Sequence, residues 1–210
     1  MREIAIYGAG GLGKEVLELI IQINGTSPVW KVVGFFDDFL IPGTLVNGIS
    51  VIGGLESLQK SNFINVVVAI GSPEARANLI GMLSEKKTMP NLIHPTVSFP
   101  KDNISIGYGA IIAANVFLSV NVKMGNGILL NVGCSIGHDV VIGDYCTINP
   151  GCRISGSVRL GDCVFAGVGS ILNNNISIVN NVKIGAGAVV LKSVEKKSTV
   201  FGNPARVVLD

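Results

Sequence analysis

One short segment of the chain places two residues together that could perform acid–base chemistry. In SIGHDVVIGDY, residues 135–145, His138 is followed directly by Asp139, and the chain holds only one other histidine, His94. A neutral imidazole is the usual general base near pH 7, and a neighbouring carboxylate can orient it and favour its protonated form. The pair therefore predicts removal of a proton from a nucleophile. The competing interpretation is a surface histidine on a polar turn.

The sequence around this pair repeats every six residues. Stepping by six meets a large aliphatic residue at every position but one, where Ala166 stands. The series is Ile106, Ile112, Leu118, Met124, Leu130, Ile136, Ile142, Ile148, Ile154, Leu160, Ala166, Leu172, Ile178, Ile184 and Val190. A period of six is typical of a parallel β-helix, in which three hexads form one triangular coil. We expect residues i and i+18 to stack about 4.8 Å apart, with five coils between residues 106 and 195.

This register predicts the position of the histidine. His138 is the third residue of the hexad that begins at Ile136, so it should lie near a turn of the coil and not on the axis. Gly156 occupies the equivalent position one coil further on, and a glycine there leaves space beside the imidazole. The repeat sends Ile136 and Val140 to the interior but assigns no structural role to His138 or Asp139.

The first 90 residues follow a different pattern. Strand-like segments (EIAIYG, WKVVGFFDD and NVVVAIGS) alternate with helix-like ones (GKEVLELIIQI, LESLQKS and PEARANLIGMLSEK). Alternation of this kind predicts parallel βαβ units. The chain is thus predicted to be α/β followed by all-β: a small Rossmann-like domain over 1–90, a linker and start of the β-helix over 91–105, and the β-helix with a C-terminal cap over 106–210.

A glycine-rich loop follows the first predicted strand. Residues 8–13, GAGGLG, match the GxGxxG pattern that lets a backbone approach phosphate at a helix N-terminus. About 90 residues suit one mononucleotide-binding half better than the two halves that a dinucleotide spans. We therefore favour a nucleotide or nucleotide sugar as the ligand. The alternatives are an NAD-dependent oxidoreductase and a tight turn with no ligand.

Composition excludes several other classes. The chain has 210 residues, 48% hydrophobic and 14% charged, so disorder is not expected. A net charge of +2 argues against nucleic acid or an acidic membrane as the main partner. No apolar run is long enough for membrane insertion and no signal peptide is evident, which predicts a cytoplasmic protein. The four cysteines form no CxxC pair, and two histidines cannot supply the three metal ligands of a γ-carbonic anhydrase, so we expect no metal.

Both halves together resemble a known family. The chain is similar to the bacterial sugar O-acyltransferases of the sialic acid O-acetyltransferase type, which are left-handed β-helix hexapeptide-repeat enzymes and include UDP-4-amino-sugar N-acetyltransferases. The matching segments are IYGAGGLGKEV, FFDDF, VVVAIGSPEAR, NLIHPTV, ILLNVGCSIGHDVVIGDY, GCRISGSVRLGDCVFAGVGSIL and VFGNPARVV. The left-handed coil is implied by the resemblance alone, since parallel crossovers are usually right-handed.

The resemblance implies an activity. It indicates an acetyl-CoA-dependent transferase that acetylates the amino group of a nucleotide-linked sugar for bacterial glycan biosynthesis. The preferred candidate for this acceptor is a UDP-4-amino sugar. The alternative acceptor is a hydroxyl of sialic acid or a related sugar. The family forms homotrimers with the active site between subunits, so the partners expected are the nucleotide sugar, acetyl-CoA and two further copies of the chain.

The resemblance also implies roles for individual residues. His138 is the expected general base, with Asp139 as its helper in place of the family's usual Glu. The residues expected to bind the nucleotide sugar are Gly10, Gly11, Leu12, Asp37, Asp38 and Gly71. The residues expected to contact coenzyme A are Thr147, Val168 and Ala186, with Arg206 in the C-terminal cap as a further candidate for a coenzyme phosphate.

One function other than an acetyltransferase stays open on sequence alone. A non-catalytic scaffold or nucleotide sensor would share the same repeat and glycine loop. A fused nucleotidyltransferase is disfavoured, because the first domain is short and lacks a basic GxGTR-like loop.

Overall fold

The N-terminal domain is the predicted Rossmann-like unit. The computed structural model describes residues 1–100 and 102–209. The elements of this domain are β1 (Arg2–Tyr7), α1 (Gly11–Thr26), β2 (Trp30–Phe36), β3 (Leu45–Val46), β4 (Ile49–Gly53), α2 (Leu55–Lys60), β5 (Asn65–Val68) and α3 (Pro73–Leu83). The sheet order is β3-β4-β2-β1-β5. All three predicted strands and all three predicted helices are present, whereas the short β3–β4 hairpin was not predicted.

The rest of the chain is a parallel β-helix of two-residue strands, left-handed as in the predicted fold class. Its strands are β6 (Leu92–Ile93), β7 (Ser105–Ile106), β8 (Ile111–Ile112), β9 (Phe117–Leu118), β10 (Lys123–Met124), β11 (Leu129–Leu130), β12 (Ser135–Ile136), β13 (Val141–Ile142), β14 (Thr147–Ile148), β15 (Arg153–Ile154), β16 (Arg159–Leu160), β17 (Phe165–Ala166), β18 (Ile171–Leu172), β19 (Ser177–Ile178), β20 (Lys183–Ile184), β21 (Val189–Val190), β22 (Thr199–Gly202) and β23 (Ala205–Leu209). Strand β6 lies inside the segment predicted as a linker.

The predicted register, in which residue i pairs with residue i+18, is confirmed. Ser135 pairs with Arg153 on one side and Phe117 on the other, and the same spacing holds for the strands from β7 to β21 in all three sheets. At the two ends of the β-helix the spacing changes: Leu92 pairs with Ile111 and Lys183 with Thr199. The second residue of each strand points to the axis, and so does the residue four positions later, as at Ile136 and Val140, which are both fully buried. Aliphatic burial along one continuous column therefore stabilises the coil stack.

Each turn contains a residue in the left-handed backbone region. In every hexad from Ile106 to Ile184 the residue three positions after the axial aliphatic has φ between 55° and 71°. This region favours Gly, Asn and Asp. Asp139 occupies such a position with φ 59°. The fold therefore accounts for an Asp at this point, which corrects the expectation that the repeat gives Asp139 no structural role. His138, one residue earlier, has no such backbone requirement.

The two halves dock through one face of the prism. The sheet that contains β6, β8, β11 and β14 faces the N-terminal domain. Ile111 and Leu129 point outward from this sheet, yet each is only 2% exposed because it packs into the core of the first domain. His138 lies at the corner between the other two sheets, after β12 and before β13. The histidine is thus on the side of the prism opposite the docked domain.

The helices are short. The longest, α1, has 16 residues, and among the residues that the structure describes no helix is long and apolar enough to cross a membrane.

Candidate functional site

The imidazole and the carboxylate meet as the sequence suggests. Nδ1 of His138 lies 2.8 Å from Oδ2 of Asp139. The two side chains remain 61% and 50% exposed, so the ring can meet a substrate from solvent. A contact through Nδ1 leaves Nε2 as the nitrogen available for chemistry. Asp139 therefore reaches the ring, although it is one methylene shorter than the Glu that the resemblance implies here.

A third side chain, Asn121, holds the carboxylate in place. Its amide Nδ2 donates a hydrogen bond of 2.9 Å to Oδ1 of Asp139. This bond is the main cause that lowers the pKa of Asp139, followed by the contact with His138. Asn121 lies one coil earlier at the same left-handed turn position, φ 60°. Asn121 is not among the site residues predicted above, although it stands one coil before Asp139, eighteen residues earlier in the sequence.

Gly156 lies against the imidazole ring. A Cβ built on Gly156 would stand 2.5 Å from Cε1 and 2.9 Å from Cδ2 of His138, too close for any real contact. Gly156 thus leaves space beside the imidazole, as the register predicts, and the ring itself occupies that space. The Nε2 side of the ring therefore lies directly against the backbone of Gly156 in the next coil.

The glycine loop separates into two kinds of glycine. Gly8 and Gly13 are required by the chain itself: a Cβ on Gly8 would stand 2.7 Å from the Ala69 carbonyl oxygen, and one on Gly13 would overlap the Gly8 carbonyl. Gly10 and Gly11 have open space around the Cβ position and negative or unremarkable φ values. Packing within the chain therefore gives no reason for glycine at these two positions, as expected where a ligand approaches the backbone.

Leu12 and the two aspartates support this loop. Leu12 packs partly into the N-terminal core. Asp37 accepts hydrogen bonds from the backbone N–H groups of Ala9 and Phe39, both at 2.9 Å. The first of these bonds ties the end of β2 to the glycine loop, so Asp37 shapes the loop whether or not it also touches a ligand.

Asp38 has a similar anchoring role. Its Oδ2 accepts from the hydroxyl of Tyr7 at 2.5 Å, and its Oδ1 accepts from the backbone N–H of Leu55 at 2.7 Å. Burial raises the pKa of Tyr7 and the Asp38 carboxylate raises it further, so the tyrosine donates as a neutral phenol. The side chain joins β1, β2 and α2 at the carboxyl end of the sheet.

Thr147 is buried between the two domains. Its side chain is 1% exposed, and its hydroxyl donates to the Gly71 carbonyl oxygen at 2.8 Å. The same hydroxyl accepts from Arg76 Nη2 at 2.9 Å. The hydroxyl is engaged in the contact between the two domains, which argues against the predicted contact with coenzyme A.

Val168 and Ala186 stack on each other in successive coils at another corner of the prism. Both are exposed, and the Gly187 N–H donates to the Val168 carbonyl oxygen at 2.8 Å. Arg206 is exposed in the C-terminal hairpin. It lines a cavity of about 650 Å³ together with Lys192 and Lys196.

The candidate residues form two groups on one chain. Gly10, Gly11, Asp37, Asp38 and Gly71 gather at the carboxyl ends of β1, β2 and β5, as ligand-binding loops do in open parallel sheets. His138 and Asp139 lie at the far corner of the prism. Among the described residues no group of three His, Cys, Asp or Glu side chains could hold a metal ion.

A glycine-loop domain docked on a hexapeptide β-helix with an exposed, carboxylate-bound histidine defines the class of hexapeptide transferases. Comparison with family models agrees: residues 3–83 match the PglD N-terminal domain, and residues 121–156 match the bacterial transferase hexapeptide (six repeats). Comparison with curated proteins finds no significant match.

Solved structures give full-length matches. WeeI from Acinetobacter baumannii AYE is 30% identical with a TM-score of 0.87, covering 99% of this chain and all of the other. The acetyltransferase domain of PglB from Neisseria gonorrhoeae FA1090 in complex with acetyl coenzyme A is 29% identical, with a TM-score of 0.88 and 99% of both chains covered. A third match is a histidine-to-asparagine variant of perosamine N-acetyltransferase from Caulobacter crescentus, in complex with CoA and GDP-perosamine. It is 25% identical with a TM-score of 0.91, and the match covers 100% of this chain and 98% of the other. The chain belongs to the hexapeptide acyltransferases of the PglD type.

The bond from Asn121 to Asp139 generates the first prediction. Asn121→Gly keeps a residue that favours the left-handed turn but removes the donor, so the pKa of Asp139 should rise toward the ordinary value of about 4. The measurement is carboxyl NMR titration of Asp139. Asn181→Gly, the same turn position at another corner, is the matched control and should leave this titration unchanged. An Asp139 titration that is identical in Asn121→Gly and wild type would show that the hydrogen bond is not formed.

Proposed function

We propose that the protein transfers an acetyl group from acetyl-CoA to the amino group of a nucleotide-linked amino sugar, with His138 as the general base. The first choice of acceptor is a UDP-4-amino sugar for bacterial glycan biosynthesis. The observation that carries the proposal is the exposed His138 imidazole, held through Nδ1 by Asp139 on an acyltransferase scaffold. The PglB domain binds acetyl coenzyme A and the perosamine enzyme binds CoA with GDP-perosamine, which supports both substrate classes.

The reaction needs two proton transfers, one from the amine to His138 and one from His138 to the leaving sulfur. The sugar amine attacks the thioester carbonyl carbon, so a C–N bond forms and the C–S bond breaks. Nε2 of His138 accepts the proton that the amine loses and returns it to the departing coenzyme A sulfur. The Asp139 carboxylate stabilises the imidazolium that exists between these two steps. Because the thioester is already activated, no covalent enzyme intermediate is required.

The cavity lined by Lys192, Lys196 and Arg206 also contains Glu195, and this excess of cationic side chains suits the phosphate end of coenzyme A. Lys192 lies three coils beyond His138 at the same corner, which corresponds to about 14 Å. That separation suits an extended pantetheine arm with its thioester at the histidine. Lys192, Lys196 and Arg206 would then meet the phosphates. Val168 and Ala186 would contact the coenzyme from a neighbouring copy of the chain through their backbone groups.

The glycine loop is assigned to the nucleotide sugar. The open backbone at Gly10 and Gly11 and the N-terminus of α1 suit a diphosphate, and no side chain caps that helix end. Asp37 and Asp38 stand beside the loop and retain acceptor capacity for a ribose or base. Both UDP and GDP fit this description, and the relative bound to GDP-perosamine makes GDP the alternative nucleotide.

We propose that the working unit is a homotrimer with the active site between copies. The loop residues and His138 lie on opposite sides of one prism, so a single chain does not bring the acceptor to its own base. A neighbouring copy can supply the missing half. Both substrates are cytoplasmic metabolites, which supports a cytoplasmic enzyme.

The direct test is a panel of amino sugars linked to UDP, GDP and dTDP, together with free sialic acids, assayed with acetyl-CoA by thiol release. We expect the largest rate with a nucleotide amino sugar. His138→Ala should lower that rate about 10²- to 10⁴-fold, the usual contribution of a general base. His94→Ala is the control, because His94 contacts Thr96 and Gln22 away from the site.

Two outcomes would reject the proposal in different ways. Thiol release with sialic acids alone would favour the hydroxyl acceptor. No release above the His138→Ala background with any acceptor would favour a scaffold or a nucleotide sensor.

The contact between Gly156 and the ring gives a further prediction. Gly156→Ala should push the imidazole away from its position and lower kcat about 10- to 100-fold while leaving the fold intact, because the atoms in its way belong to one exposed side chain. In the His138→Ala background the same substitution should have no further effect. A further decrease in kcat in that background would show that Gly156→Ala distorts the β-helix coil, and that displacement of the His138 imidazole is not the cause.

A further inference from the structure

Arg76 is a charged side chain buried between the two domains. It projects from α3 and is 1% exposed. Burial lowers its pKa to about 10, so it still carries its charge at neutral pH. In the part of the chain that the structure describes, no carboxylate lies within ion-pair distance of it. Its charge is therefore solvated by neutral oxygen atoms only.

Those oxygen atoms come from both domains. In the N-terminal domain Arg76 donates from Nη1 to the carbonyl oxygens of Ile70 at 2.7 Å and Gly71 at 3.3 Å. In the β-helix it donates from Nε to the Gly127 carbonyl oxygen at 2.8 Å. From Nη2 it donates to the carbonyl oxygens of Tyr145 and Cys146, at 2.7 Å and 3.0 Å, and to the Thr147 hydroxyl. All three guanidinium nitrogens are engaged.

Thr147 closes the arrangement. Its hydroxyl accepts from Arg76 and donates to the Gly71 carbonyl oxygen. The Gly71 carbonyl oxygen therefore accepts two hydrogen bonds, one from Arg76 and one from Thr147. The Cβ position of Gly71 faces open space. The turn at Ile70–Gly71 is fixed to strand β14 on one side and is open on the side where the nucleotide sugar is assigned.

Stability alone is a poor explanation for this arrangement. A buried charge carries a desolvation penalty, and apolar side chains of similar volume often stabilise an interface equally well or better. A planar guanidinium that bonds carbonyls from three separate segments instead fixes their relative positions, because its donors have a rigid geometry. Such a contact specifies one orientation of the ligand-binding turn on the β-helix.

We propose that Arg76 and Thr147 form a clamp that positions the nucleotide-sugar-binding turn, so that Thr147 serves the acceptor and not the coenzyme. This inference rests on the proposed function, since it assigns the Gly71 turn to the acceptor. Both are positioning residues: they touch the turn and not the substrate. The clamp fixes the position of the bound nucleotide sugar along the axis of the β-helix. It thereby fixes the distance between the sugar and the His138 base on a neighbouring copy.

The test compares two substitutions of Thr147. Thr147→Val keeps the shape but removes the hydroxyl, and Thr147→Ser keeps the hydroxyl. Thr147→Val removes both hydrogen bonds of the hydroxyl, while Arg76 keeps its own bond to the Gly71 carbonyl oxygen. We expect this to lower kcat/KM for the nucleotide sugar about five- to tenfold, with KM for acetyl-CoA unchanged. Thr147→Ser should stay close to wild type.

A binding measurement makes the test independent of turnover. Calorimetric titration with UDP and with GDP should show weaker binding of the preferred nucleotide to Thr147→Val than to wild type and Thr147→Ser. Arg76→Lys, which cannot span the three segments, should show the same loss more strongly, and its circular dichroism and thermal unfolding report whether it remains folded.

The outcomes separate the clamp from the proposed function. A raised KM for acetyl-CoA in Thr147→Val would assign the hydroxyl to the coenzyme and overturn the inference. A lower melting temperature with unchanged nucleotide binding and unchanged KM values would reduce the clamp to a structural contact. A wild-type protein that acetylates nothing on the panel would reject the proposed function, while the titration would still decide whether the clamp acts on nucleotide binding.

Discussion

Backbone hydrogen bonds between successive coils determine where every side chain of the β-helix lies. From β7 to β21 each coil hydrogen-bonds to the next with an unchanged register, so a residue's position along the hexad decides whether it lies on the axis, on a face or at a corner. His138 is exposed because it is the third residue of its hexad, and Asp139 and Asn121 meet because they hold the same position in neighbouring coils. A single insertion between Asn121 and Asp139 would displace these side chains from one another. The chemistry of the site therefore depends on the fidelity of the repeat.

The docking of the first domain provides the second constraint. One face of the prism is covered by the glycine-loop domain, and the histidine corner is the one that this domain does not reach. A buried arginine then fixes the Gly71 turn on that covered face. Together these contacts hold the acceptor loop and the base rigidly apart within one chain. This separation supports the proposed oligomer, in which His138 of one copy would face the glycine loop of another.

Much of the β-helix and of its histidine site could be predicted from the sequence, because each six-residue repeat forms one side of a coil. The axial aliphatics, the corner position of His138 and its contact with Gly156 all follow from counting residues. The left-handed turn position was missed, since Gly, Asn, Asp, Ser, Tyr and Cys share it and no single residue type marks it. Arg76 and Thr147 were not predictable as partners, because they are far apart in sequence and meet only when the two domains dock. The assignment of Thr147 to coenzyme A came from the resemblance, and the buried hydroxyl argues against it.

The central claim is that a base on one copy serves a nucleotide sugar held by another. Subunit complementation tests it directly, with His138→Ala and Gly10→Glu, the latter placing a carboxylate in the open space at the glycine loop. Each variant alone should be inactive. When the two are co-assembled and the mixed trimers are purified through two different tags, we expect about a third of the wild-type rate, since about one interface in three then pairs an intact base with an intact loop. Mixed assemblies as inactive as the two parent variants would place base and loop in one chain and contradict the account.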